Sequence, residues 1–112
     1  MCTQSQLHLI TASVAKEAGA LLSDKLDAVI LYGSYARGDY DDESDIDIIV
    51  RIACEHKDLP KYRRVMTRCA SELSMQYGIT VSVQLTDTES YDNFKNVLPF
   101  YKNIEKEGVL IA

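Results

Sequence analysis

The sequence predicts one α/β domain over residues 1–112, with a small mixed sheet of about three to four strands covered on one face by helices. Three observations predict it. Apolar residues recur at helical spacing in two long stretches. Three shorter runs are apolar in the manner of strands, two of them by alternation. The link between the first two strands is short, which makes them antiparallel; a long helical crossover then makes the third strand parallel to the second.

Taken in order, Leu7, Ile10, Val14, Ala18, Leu21 and Leu22 predict an amphipathic helix over about residues 4–23. Leu26–Gly33 is a short apolar run ending at glycine, which suits a buried strand. A short helix should follow from Ser34. In Asp45–Ile52, Ile46, Ile48, Val50 and Ile52 share one face, and Asp45 and Asp47 share the other. A helix over about residues 58–77 has Pro60 in its first turn and Gly78 just past its end. Its stripe reads Val65, Met66, Cys69, Leu73 and Met75 or Gln76. Ile79–Leu85 is the third strand, with Ile79, Val81, Val83 and Leu85 inward and Thr80, Ser82 and Gln84 outward. Thr86 or Asp87 caps a helix over about Thr88–Leu98. Pro99 interrupts it, and a short terminal helix docks through Phe100, Ile104 and the Val109–Ile111 tail.

Composition narrows the function. The net charge of −5 argues against sequence-independent nucleic-acid binding, so no nucleic-acid partner is expected. No apolar run approaches the ~18–20 residues of a membrane span, and the first residues do not read as a signal peptide. Cys2, Cys54 and Cys69 are odd in number and form no CxxC pair, so they read as free thiols in a reducing cytoplasm. His8 and His56 alone give too few ligands for zinc. Charge is nonetheless uneven. Asp39, Asp41, Asp42, Glu43, Asp45 and Asp47 crowd one segment; Lys57, Lys61, Arg63, Arg64 and Arg68 crowd the next helix. That basic face reads as solvated, or as a dock for an acidic partner or for RNA.

The chemistry concentrates in LYGSYARGDYDDESDIDIIV, Leu31 to Val50. A strand that ends in glycine before a helix start lets a phosphate approach bare backbone N–H groups, and Ser34 adds a hydroxyl. Without a ligand, the same residues make a plain turn with a serine cap. Asp45 and Asp47, two apart on a strand, project together and suit a partly hydrated Mg²⁺. Without a cation they are a solvated, mutually repelling pair. A calcium loop starting at Asp39 fails, because Ser44 stands where glycine is needed and Val50 where the bidentate glutamate belongs. Tyr35 and Tyr40, beside the motif, could stack on a base or pack at the surface.

GSYARGDYDDESDID resembles the Gly-Ser, ten residues, Asp-x-Asp signature of the polymerase β-like nucleotidyltransferases. The flanking ARG and SDIDIIV look like the minimal single-domain branch, which includes antitoxins paired with HEPN-domain toxins. The resemblance implies a nucleotidyltransferase fold and transfer of a nucleoside monophosphate, AMP from ATP, onto a hydroxyl. The implied acceptor is a tyrosine of a HEPN toxin. It also implies that Gly33 and Ser34 bind the NTP triphosphate, that Asp45 and Asp47 ligate two Mg²⁺ ions, and that Arg37 contacts phosphate or pairs with the acidic loop. Gly38 would end the short helix and Ser44 would shape the turn before the strand. The family's third carboxylate, on the third strand, would fall near Ser82, and none is there; Asp87 or Glu89 would have to reach in. That departure supports the alternative, a domain that neutralises a toxin by binding alone. Transfer to a small molecule such as an aminoglycoside ranks lower, since such members carry a further helical domain.

Overall fold

The computed structural model describes residues 2–112. In chain order its elements are α1 (Gln4–Leu22), β1 (Leu26–Tyr32), α2 (Ser34–Arg37), β2 (Ile46–Ile52), α3 (Leu59–Tyr77), β3 (Val81–Asp87), α4 (Thr88–Phe94), α5 (Pro99–Glu107) and β4 (Val109–Leu110). The sheet order is β3-β2-β1-β4. As the loop lengths predict, β1 and β2 are antiparallel and β2 and β3 parallel; β4 adds an antiparallel edge to β1.

Local chemistry sets the ends of these elements. Thr3 and Gln6 cap α1 reciprocally: the Gln6 N–H donates to Thr3 Oγ1 at 3.1 Å and the Thr3 N–H to Gln6 Oε1 at 3.0 Å. Gly78 ends α3 in the left-handed conformation, φ 66°. Ile10, Val14, Ala18 and Leu22 of α1 meet Met66, Ala70 and Leu73 of α3 over the sheet face formed by Val29, Leu31, Ile46, Ile48, Val50 and Ile52. Each fully buried aliphatic chain there contributes about 1.5–3 kcal/mol.

The structure departs from the sequence reading in several places. The buried line of α3 is Leu59, Tyr62, Met66, Ala70 and Leu73, while Met75 is 87% exposed. Two residues past Leu73 is about 200° around the helix, so Met75 points away from the core. β3 begins at Val81 and runs to Asp87. Gly78 and the residues after it are spent turning the chain, and pairing continues through Thr86 and Asp87 opposite Arg51 and Ile52. The helix foreseen over Thr88–Leu98 ends at Phe94, and Pro99 opens a new helix rather than interrupting one.

Helices also lie on both faces. Alternation puts Ala28 and Ile30 of β1 and Ile49 of β2 on the second face, where they need cover. Tyr91 of α4 and Ile104 of α5 supply it. Tyr91 is tied down by a 2.6 Å bond from its hydroxyl to Glu105 and by Arg51 over its ring, 4.7 Å from the centroid. The Val109–Ile111 tail docks chiefly through backbone pairing, with Val109 and Leu110 themselves exposed. At the end of the second face that carries Asp47, that residue and Tyr32 are left half-buried.

Candidate active site

β1 ends at Tyr32, which lies opposite Asp47 of β2. The next residue, Gly33, has φ 75° and ψ −156°, a backbone region open essentially to glycine alone. A Cβ placed on Gly33 would lie 2.6 Å from Asp47 Oδ2. The glycine is therefore needed twice: for the bend, and to let the carboxylate rest against the backbone. Ser34 then opens α2, whose Ala36 and Arg37 N–H groups both donate to the Gly33 carbonyl at 3.1 Å. No side chain caps the start of α2. Gly38 closes it, as the motif implied, in the left-handed region at φ 85°.

The acidic loop braces itself. The Asp41 N–H donates to Ser44 Oγ at 3.0 Å, the Ser44 hydroxyl donates to Asp41 Oδ1 at 3.2 Å, and the Glu43 N–H donates to Asp41 Oδ1 at 2.9 Å. This turn delivers Asp45, exposed, to the residue just before β2, and Asp47, half-buried, to its second position. Burial first, and the Asp45 charge second, push the Asp47 carboxyl above its ordinary range; Arg37 pulls weakly the other way. The same burial and the Asp47 charge push the Tyr32 phenol up to about 12, so it stays protonated at neutral pH.

Ser82 of β3 is the parallel partner of Asp47. The position where the resemblance implies a third carboxylate thus carries a hydroxyl. Asp87 cannot substitute. It stands five residues along the same strand, roughly 16 Å away, paired with Ile52. There it accepts the Ser90 N–H and bonds His56 Nδ1, each at 3.0 Å, and caps α4. Burial alone would push its carboxyl up, but the bonds from Ser90 and His56 hold it below the usual range. Glu89 follows on α4, at that same far end.

Arg37 joins the site to parts of the chain that the motif does not include. Its Nε lies 3.2 Å from Asp39 of the acidic loop and its Nη1 3.4 Å from Glu107 of α5. Between α2 and α5 lies a recess of about 130 Å³ that reaches Gly33 and is walled by Phe100, Asn103 and Glu107. Sequence reasoning gave α5 only a packing role. The available signal was its spacing, since Phe100, Asn103 and Glu107 fall on one helical face. Tyr35 and Tyr40 stack on each other, with centroids 4.3 Å apart and planes at 12°, and Tyr35 is buried in the core. Tyr35 is therefore packing, not a base platform.

Two carboxylates beside the Gly33 bend fit Mg²⁺, a hard cation that takes carboxylate oxygens while keeping several waters. No group of three or more His, Cys, Asp or Glu that could hold a metal occurs among the described residues, and thiolate or imidazole ligands for a softer ion are not gathered at this corner.

Residues 13–111 match the family described as the nucleotidyltransferase domain. The chain belongs to that family. A relative from Methanocaldococcus jannaschii, named "Putative protein adenylyltransferase", is 45% identical over 69 residues, which are 60% of this chain and 66% of that protein. The match thus spans just under two thirds of the relative's length. Among solved structures, this nucleotidyltransferase domain aligns with a chain of a toxin–antitoxin complex with AMP-PNP at TM-score 0.61 and 20% identity, covering 91% of this chain and 72% of that one. It aligns with a chain of the tri-AMPylated Shewanella oneidensis HEPN toxin in complex with MNT antitoxin at TM-score 0.54 and 18% identity, covering 95% and 71%. These two likenesses establish the shared fold. No described helix is long and apolar enough to cross a membrane.

Proposed function

We propose that the domain transfers AMP from ATP to a protein hydroxyl, a tyrosine of a HEPN toxin, and acts as that toxin's antitoxin in the cytoplasm. The observation that carries this reading is the contact of Asp47 with the Gly33 bend, with Asp45 at the same strand edge. The Gly33–Ser34 corner accepts the triphosphate through open backbone N–H groups and the Ser34 hydroxyl. Asp45 and Asp47 hold Mg²⁺, two ions in the family's pattern, which supplies charge neutralisation and alignment of the phosphates. Arg37, which pairs with Asp39 and Glu107, exchanges a carboxylate partner for a phosphate oxygen.

In the proposed step, the acceptor oxygen bonds to the α-phosphorus as the bond to the pyrophosphate oxygen breaks, and pyrophosphate leaves. The acceptor proton passes to solvent, because Ser82 cannot take it at neutral pH. The AMPylated toxin and AMP-PNP complexes of the fold relatives support the nucleotide and the acceptor. The free cysteines suit a reducing compartment.

Ser82 beside Asp47 favours a second reading, in which the domain masks a toxin without chemistry. Cell survival separates the two. If transfer is the activity, the Asp45→Ala plus Asp47→Ala variant still binds the toxin but no longer protects. Undiminished protection would establish masking.

A further inference from the structure

The recess between α2 and α5 has no part in the chemistry described above. From it the geometry points to a purine-base subsite, in which adenine packs against Phe100 and Tyr32 and presents its edge to Asn103 and Glu107. The inference rests on the nucleotide reading of the Gly33 corner and goes beyond it by assigning α5 to base recognition.

Continuity comes first. Gly33 and Arg37 line both the proposed phosphate corner and the recess. A nucleotide held at the corner by its phosphates therefore has an adjoining hollow in which to lay its base; a larger hollow of about 260 Å³ reaches Asp45 but touches neither Gly33 nor Arg37. Size comes next. At about 130 Å³ the hollow is well below the ~300 Å³ of sites that enclose a whole drug-sized ligand, so it takes one planar ring system.

The lining is the third ground. Phe100 is 45% exposed and meets Tyr32 edge-on, with centroids 5.6 Å apart and planes at 88°. Ile104 packs α5 onto the sheet, so Phe100 is not needed for that. It leaves an aromatic surface open beside the site, and bases stack on such surfaces. The Asn103 side chain makes no hydrogen bond among the described residues. A carboxamide at that point matches the N6 and N7 edge of adenine, and Glu107 can accept from an exocyclic amine. A phenol from the acceptor protein would leave both groups unmatched, and it has to send its hydroxyl toward Asp47 instead.

The test compares binding of ATP and of inorganic tripolyphosphate, each with Mg²⁺, by calorimetry on the intact chain. Wild type is expected to bind both, ATP at least about tenfold tighter. Asn103→Leu and Phe100→Ala should each weaken ATP about tenfold and leave tripolyphosphate unchanged; Asn103 is exposed, while Phe100→Ala gives up ring contacts with Tyr32 and Tyr101, so unchanged tripolyphosphate binding also reports that its fold is intact. Variants that bind ATP as wild type does would overturn the base subsite and leave the phosphate corner standing. Equal loss of both ligands would also overturn it, by showing a general disturbance of the site. If wild type bound neither ligand, the nucleotide reading itself would fall, and the subsite with it.

Discussion

Replacing Gly33 by alanine separates the two reasons for that glycine, and Gly38 is the internal control. Both have positive φ, 75° and 85°. At Gly38, ψ is 9° and a Cβ would meet nothing within 4 Å. Gly38→Ala therefore costs only the left-handed penalty, about 1–2 kcal/mol. At Gly33, ψ is −156°, where strain costs about 1–3 kcal/mol, and the new methyl carbon would sit 2.6 Å from Asp47 Oδ2. Contacts under 3.0 Å are essentially never seen for real Cβ atoms, so the carboxylate has to move. Catalytic groups tolerate about 0.5 Å, and a 1 Å error costs about 100-fold. Both variants should melt several degrees below wild type. Only Gly33→Ala should lose AMP transfer by about 100-fold, measured per folded molecule with the fraction folded taken from urea curves. Equal activity in the two variants would refute the claim that Gly33 exists to seat Asp47.

Three further outcomes follow from the same geometry. Asp47 has its folded pKa raised, so its ionised form costs stability above that pKa and the cost vanishes below the unfolded value. Asp47→Asn should raise the melting temperature at pH 7, with the gain closing as pH falls below about 4, and should abolish transfer; an unchanged or lower melting temperature at pH 7 contradicts it. Asp87 has the opposite sign. Its bonds stabilise the fold above the unfolded pKa, and that contribution is lost as pH falls through the depressed folded value. Asp87→Ala should cost about 1–2 kcal/mol at pH 7, shrinking in acid, with transfer per folded molecule intact; chemical denaturation across pH checks it. Ser82→Asp would place a third carboxylate beside Asp47, and should speed transfer at least about tenfold while lowering the melting temperature without Mg²⁺. No gain in rate would show that the missing acid is not what limits the reaction.

The strand pairing and the motif corner were legible because they are local. Alternation in Ile46–Ile52 fixed which face Asp47 takes, and loop lengths fixed strand directions. The same parity puts Ser82 on the face of Asp47, whereas the register that sets the two opposite each other is a property of the pairing. The site's second wall was not legible. Glu107 meets Arg37 across 70 positions of sequence, and Phe100 meets Tyr32 only because Ala28, Ile30 and Ile49 draw α5 onto the second face. In the sequence pattern that face reads as bare because its aspartates dominate, although Ile49 sits between Asp47 and Arg51. Met75 misled for a simpler reason. Its hydrophobicity suggested core, but its helical phase after Leu73 carries it into solvent.

The most direct measurement follows the label from ATP marked at the α- or the γ-phosphate, incubated with Mg²⁺, the domain and the HEPN toxin proposed as its partner. The α-label should appear on a partner tyrosine, the γ-label should not, and neither should appear with Asp45→Ala plus Asp47→Ala. Transfer of the γ-label, or α-label transfer that survives loss of both aspartates, would contradict nucleotidyl transfer at this corner.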